Sequence, residues 1–225
     1  MVKQWIFTGK SDKRDLMFYL CKMLAALDQR VLLVDATDYR KYRYTIGSAA
    51  AQLPLMEFSG FDVSDGLPAE IHNAYDYVLY DVESLFFDCE MWLAADQVVW
   101  VTSFDRYEVE SSAEWFRLLL AKWPQLAGLE VLPVYIRTVD GSLTAQYIMS
   151  FMDGIAVSWS EDEICIPWCE MNAALQLENE YAQMLTMRGI SRSYKRALRH
   201  LVGQLAGWGD ADVRRALRVV ERSRT

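Results

Sequence analysis

The first residues able to do chemistry lie between a short apolar run and an amphipathic helix: Thr8-Gly9-Lys10-Ser11-Asp12-Lys13-Arg14. A turn that cradles phosphate needs glycines for close backbone approach, a lysine for the charge and a hydroxyl for magnesium. Gly9 is the one glycine here, while Lys10, Lys13 and Arg14 supply cations and Ser11 a hydroxyl. Asp12 works against that chemistry, because it puts a carboxylate among phosphate oxygens and like charges repel. Alone, the segment reads as an ordinary polar turn. Two further carboxylates, Asp35 and Asp81, each close an apolar run, Val31–Val34 and Tyr77–Tyr80.

Other chemistry-bearing groups read mainly as surface or core. Tyr39, Tyr42 and Tyr44 alternate with Arg40, Lys41 and Arg43. That pattern suits stacking plus phosphate contacts, or a protein partner. The acidic body favours the partner, with Tyr39, Arg40, Tyr42 and Arg43 as contact residues. Cys165 and Cys169 are spaced C-x3-C with no second ligand pair evident, so the pair is not expected to form a zinc or other metal site. Asp105, Glu108 and Glu110 open a helix, where acids complement the helix N-terminus. Glu161, Asp162 and Glu163 read as a solvated loop, and His72 as a helix-surface residue.

The elements that must position these groups alternate between strand and helix. Lys3–Thr8, Val31–Val34, Tyr77–Tyr80, Gln97–Thr102 and Leu129–Ile136 are strand candidates, although Pro133 would weaken the last or place it at an edge. Leu53–Phe58 and Glu163–Pro167 add shorter ones. Arg14–Leu27 has its apolar residues on one helix face, and Val109–Trp123 is strongly amphipathic up to Pro124. Pro68–Asn73, Cys89–Ala95 and Leu143–Met152 are shorter helix candidates, and the chain beyond Pro167 is mostly helix. Unbroken apolar strands suit a sheet covered on both faces. The alternation gives an α/β fold, a mostly parallel doubly wound sheet with helices on both faces.

In this order the pieces resemble the MinD/ParA family of deviant-Walker P-loop ATPases. The resemblance rests on the turn 8–14, Arg30-Val-Leu-Leu-Val-Asp35, Ala74-Tyr-Asp-Tyr-Val-Leu-Tyr-Asp81 and Ala94-Ala-Asp96-Gln-Val-Val-Trp-Val-Thr102. Ile164-Cys-Ile-Pro167 and the helix from Ile190 to Leu201 extend it over residues 1–205. It implies that Gly9 and Lys13 stand at a loop glycine and the Walker lysine. It implies a water-activating role for Asp35 and a Walker-B role for Asp81. It also shows departures. Asp12 replaces the glycine before the lysine, Arg14 replaces the magnesium-binding Ser or Thr, and Thr8 stands at the deviant lysine. Tyr135-Ile136-Arg137 occupies the place of the base-contacting asparagine. The family uses ATP and magnesium, so Gly9, Lys10, Ser11, Lys13, Arg14, Asp35 and Asp81 are the candidate nucleotide residues.

Composition narrows the function. The chain has 225 residues, 52% hydrophobic and 24% charged, which excludes disorder. Residues 1–185 hold 13 Lys and Arg against 28 Asp and Glu, a net −15, whereas residues 186–225 hold 10 against 3, a net +7. An acidic body does not attract free nucleic acid. The division expected is an α/β domain over 1–205 and a basic helical tail over 206–225. The tail could pack on the body or lie on an anionic membrane. Scattered cysteines and the lack of a leader-like start suggest a cytoplasmic protein with reduced thiols.

Hydrolysis depends on positioning and charge neutralisation, and three of the required parts are replaced. The expected function is therefore a non-hydrolysing or weakly active localisation or assembly factor acting through a protein partner, as in the TadZ/CpaE pilus group. A homodimer fits, with Asp12 and Arg14 bridging two copies. The alternative is an active ATPase using Lys10 and Lys13 on an atypical loop.

Overall fold

Apolar runs too short for helices pair into one sheet. The structure, a computed structural model, describes residues 2–47, 53–68 and 74–223. The helix expected over 68–73, with His72, falls on residues 69–73, outside those described. β1 (Lys3–Thr8), β2 (Val31–Ala36), β5 (Tyr77–Val82), β6 (Gln97–Thr102) and β7 (Glu130–Thr138) form the parallel centre. β3 (Leu55–Phe58) and β4 (Phe61–Ser64) make an antiparallel hairpin on one flank. β8 (Ser158–Trp159) and β9 (Ile164–Pro167) pair with β7 on the other. The order is β3-β4-β2-β5-β1-β6-β7-β8, with β9 also on β7. The sequence suggested one strand from Leu53 to Phe58; the chain instead turns at Ser59-Gly60 and adds β4. Pro133 does not put β7 at an edge. Pairing on the outer side runs through Glu130 and Val131 to β8 and resumes at Val134 with β9, so no partner there needs the missing N–H.

Helices cover both faces because each has one apolar side. α1 (Arg14–Ala25), α6 (Glu170–Ala182), α7 (Arg192–Ala206) and α8 (Asp210–Arg222) share one core, which includes Leu20, Leu198, Leu201, Val213 and Val220. α3 (Cys89–Leu93), α4 (Arg106–Lys122) and α5 (Ala145–Met149) cover the other, around Trp92, Trp100, Trp115 and Phe116. α2 (Tyr42–Thr45) is a single turn after β2. The helices carrying the basic residues are packed, not projecting: Val213, Ala216, Leu217 and Val220 of α8 are buried. Lys195 reaches Glu221 at 2.5 Å, and Asp210 receives both Arg199 and Arg214. No helix among the described residues is long and apolar enough to cross a membrane.

Parallel register places the functional groups. Asp35 on β2 stands directly beside Asp81 on β5, and Phe7 of β1 is Asp81's partner on the other side. Thr8, Asp35, Asp81 and Thr102 therefore share one edge of the sheet, where loops of such folds bind ligands.

Candidate functional site

The turn from β1 into α1 crosses that edge. Gly9 has φ +125°, and a Cβ there would lie 2.0 Å from the Val101 carbonyl oxygen. Only glycine permits this approach. Lys13 is 1% exposed and folds back over the turn. Its Nζ donates to the Gly9 carbonyl at 3.0 Å and lies 2.7 Å from Asp81 Oδ1, a charge contact rather than an aligned hydrogen bond. Glu83 is 4.0 Å from the same ammonium. Burial pushes the Glu83 carboxyl above its usual range, and Lys13 partly offsets this.

The remaining carboxylates have partners of their own. Asp81 Oδ2 accepts the Tyr42 hydroxyl at 2.7 Å. Asp35 Oδ1 accepts the Thr37 hydroxyl at 2.6 Å and the Thr37 amide at 3.0 Å, while its Oδ2 takes the Tyr42 amide at 3.3 Å. Burial raises the Asp35 carboxyl, with the nearby Asp81 charge adding to it. Tyr42 departs from the surface role expected of it. It is 1% exposed, because its ring packs edge-on against Phe18 and its hydroxyl faces Asp81. Tyr39 is exposed, Arg40 pairs with Asp65 at 3.0 Å, and the Arg43 guanidinium donates to the Tyr44 hydroxyl.

Asp12 and Arg14 pair within the chain. Arg14 donates Nε at 3.0 Å and Nη2 at 2.8 Å to the Asp12 carboxylate. Its Nη1 reaches Thr45 and Glu180 of α6, both at 3.1 Å. The Arg14 backbone amide, first in α1, also donates to Asp12 at 3.3 Å. Arg137 donates to the Asp12 carbonyl at 2.6 Å from a left-handed backbone, φ +54°. Burial would raise the Asp12 carboxyl, but the Arg14 hydrogen bonds and charge outweigh it and hold it at about 2. A permanent anion therefore sits at the N-terminus of α1, where positive backbone potential favours negative charge.

Ser11 is buried. Its hydroxyl bonds Glu108 of α4 and accepts the Ser103 amide at 2.9 Å. Asp105 caps α4 by accepting the Glu108 amide, as helix-start acids do. Lys10 is the most exposed cation of the turn, 3.8 Å from Asp38. The structure thus gathers Gly9, Lys10, Ser11, Lys13, Arg14, Asp35 and Asp81 at one sheet edge. Sequence reasoning missed Tyr42, Glu108 and Glu180 as parts of that cluster. Glu108 carried a signal, standing in the first turn after a strand end, whereas Glu180 lies 166 positions from Arg14 and carried none. Among the described residues no group of three or more His, Cys, Asp and Glu could hold a metal ion.

The architecture is an α/β fold of the P-loop NTPase kind. More narrowly, the fold is that of the MinD and ParA ATPases. MinD of Aquifex aeolicus superposes with a TM-score of 0.56 at 14% identity, over 100% of this chain and 99% of that one. A plasmid partition protein of Borrelia burgdorferi bound to AMPPNP gives 0.58 at 12% identity, covering 97% and 98%. An ATP complex of McdA from Cyanothece gives 0.57 at 13%, covering 92% and 97%. No protein-family model and no curated protein sequence matches the chain.

Proposed function

We propose that this chain is a MinD/ParA-like localisation or assembly factor that works by binding a protein partner and does not hydrolyse ATP. One observation carries the reading: Asp12 already occupies the anion position of the turn, held ionised by Arg14. Phosphate brought to the same amide would meet a fixed carboxylate in a half-buried site, where repulsion is weakly screened. The residues present do not fit a magnesium nucleotide. Arg14 offers a guanidinium and no metal-ligating oxygen, and the Ser11 hydroxyl is committed to Glu108 and Ser103.

Several narrower points belong to the same reading. Residues 1–205 form the domain, and the basic helical tail over 206–225 is docked on it through α8. The protein works in the cytoplasm or at the inner face of the membrane. Its setting is assembly of a pilus or secretion machine, where the TadZ/CpaE resemblance points. Solved structures of similar fold include the MinC:MinD cell division protein complex of Aquifex aeolicus, which supports partner binding as the working mode.

The test is phosphate release from magnesium–ATP by the purified protein, beside Asp81→Asn. Release at the buffer rate by both proteins is expected. Turnover by the wild type that Asp81→Asn abolishes would overturn the proposal in favour of an ATPase with an atypical loop.

A further inference from the structure

Helix α6 is built the wrong way round for a helix that only supports a core. Of its 13 residues, only Leu175 and Asn179 are buried. Its larger apolar groups face solvent: Met171 is 63% exposed, Leu177 56% and Tyr181 90%. Ala174, Leu177 and Tyr181 follow the three-and-four spacing of one helix face, opposite Leu175 and Asn179. Trp168, just before the helix, is also exposed. A grouped apolar stripe of this kind marks an interaction surface, unlike apolar residues scattered singly.

Charge says what covers it. From residue 138 to residue 187 the chain carries eight Asp and Glu and no Lys or Arg. Glu170, Glu178 and Glu180 lie on α6 itself. We infer that α6 is a docking face for an amphipathic helix of a partner protein, with large apolar residues on the buried side and Lys or Arg along its flanks. The inference deepens the protein-binding reading above and rests on it. A helix in this position would lie beside the closed turn, since Glu180 is shared with Arg14.

Two other occupants fit less well. A second copy docking α6 on α6 would bring like-charged glutamates together, which disfavours the pair. A second copy offering its basic helix α8 brings charge but little apolar cover, because among the larger apolar residues of α8 only Val219 is exposed. Anionic membrane is repelled by the same carboxylates.

The experiment uses a fluorescein-labelled amphipathic peptide of roughly 18 residues, about five helical turns, made of leucine and lysine. A leucine–glutamate peptide of the same pattern is the control. Anisotropy is read on the full chain and on Leu177→Ser with Tyr181→Ser, both exposed positions, with thermal melts confirming the fold. The lysine peptide should bind the wild type, weaken as salt rises, and bind the double variant about tenfold less, as loss of central apolar anchors does. The glutamate peptide should not bind. Equal binding to wild type and variant would overturn the inference, as would no binding by either peptide. Concentration-dependent dimerisation in light scattering, lost in the double variant, would overturn it in favour of self-association. ATP turnover by the wild type would remove the non-hydrolysing reading but leave the α6 result standing. Peptide binding indifferent to α6 would do the reverse.

Discussion

The turn 9–14 and helix α6 meet at the Arg14–Glu180 ion pair, yet they treat solvent in opposite ways. In the turn, polar and charged side chains are matched inside the chain: Lys13 by Asp81, Asp12 by Arg14, and the Ser11 hydroxyl by Glu108. On α6 the apolar groups that would normally be hidden are left outside. The fold supplies a ligand edge, and here the chain fills it with its own groups. The unsatisfied surface lies one helix away. Shared fold therefore does not fix where binding occurs.

Substitutions in the two regions should differ most at Asp81. Asp81→Ala takes the nearest counter-charge from a buried ammonium, leaving it the Gly9 carbonyl and Glu83 at 4.0 Å, and losing one partner of such a pair costs about 3 kcal/mol or more. Urea unfolding at neutral pH checks this, and a loss under about 1 kcal/mol would mean that Lys13 finds water when unpaired. Gly9→Ala comes next. Its positive φ and the Val101 carbonyl leave no room for a methyl, so a loss of about 3 kcal/mol is expected from strain plus clash. On α6, Ala174→Gly should cost only about 1 kcal/mol, the helix-propensity difference.

Asp12→Asn should cost about 2 kcal/mol at neutral pH, from a carboxyl held near 2 in the fold against 3.8 in the unfolded chain. A depressed carboxyl stabilises fully above its unfolded value, and that contribution disappears as pH falls through the folded value. The wild-type advantage over Asp12→Asn should therefore hold from neutral pH down to about 4 and vanish near 2. Unfolding titrations across that window read it directly, and an advantage persisting below pH 2 would contradict the ion pair as its source. The smallest effect belongs to α6: Tyr181→Ser should stay within about 0.5 kcal/mol of wild type in the same assay.

Much of the fold was legible because its strands are continuous apolar runs closed by polar residues. Val31–Val34 into Asp35 and Tyr77–Tyr80 into Asp81 mark two carboxylates at strand ends in the sequence itself, and the parallel register sets them side by side. β4 was not legible, since Phe61-Asp-Val-Ser64 is too short and too polar to stand out as a strand. Tyr42 misled because the alternation of tyrosine and basic residues looks like surface; its burial comes from packing against Phe18, which no local pattern records. The loop residues themselves were identifiable, but their partners were not. That Asp12 and Arg14 pair within the chain depends on Thr45, Arg137 and Glu180 arriving from distant elements.

The most direct measurement is a calorimetric titration of the purified protein with magnesium–ATP, repeated on Lys13→Ala. If Asp12 and Arg14 close the turn as described, neither protein gives binding heat at about millimolar nucleotide. Saturable binding by the wild type that Lys13→Ala removes would show a turn still able to open to phosphate, and would contradict a loop filled by its own carboxylate.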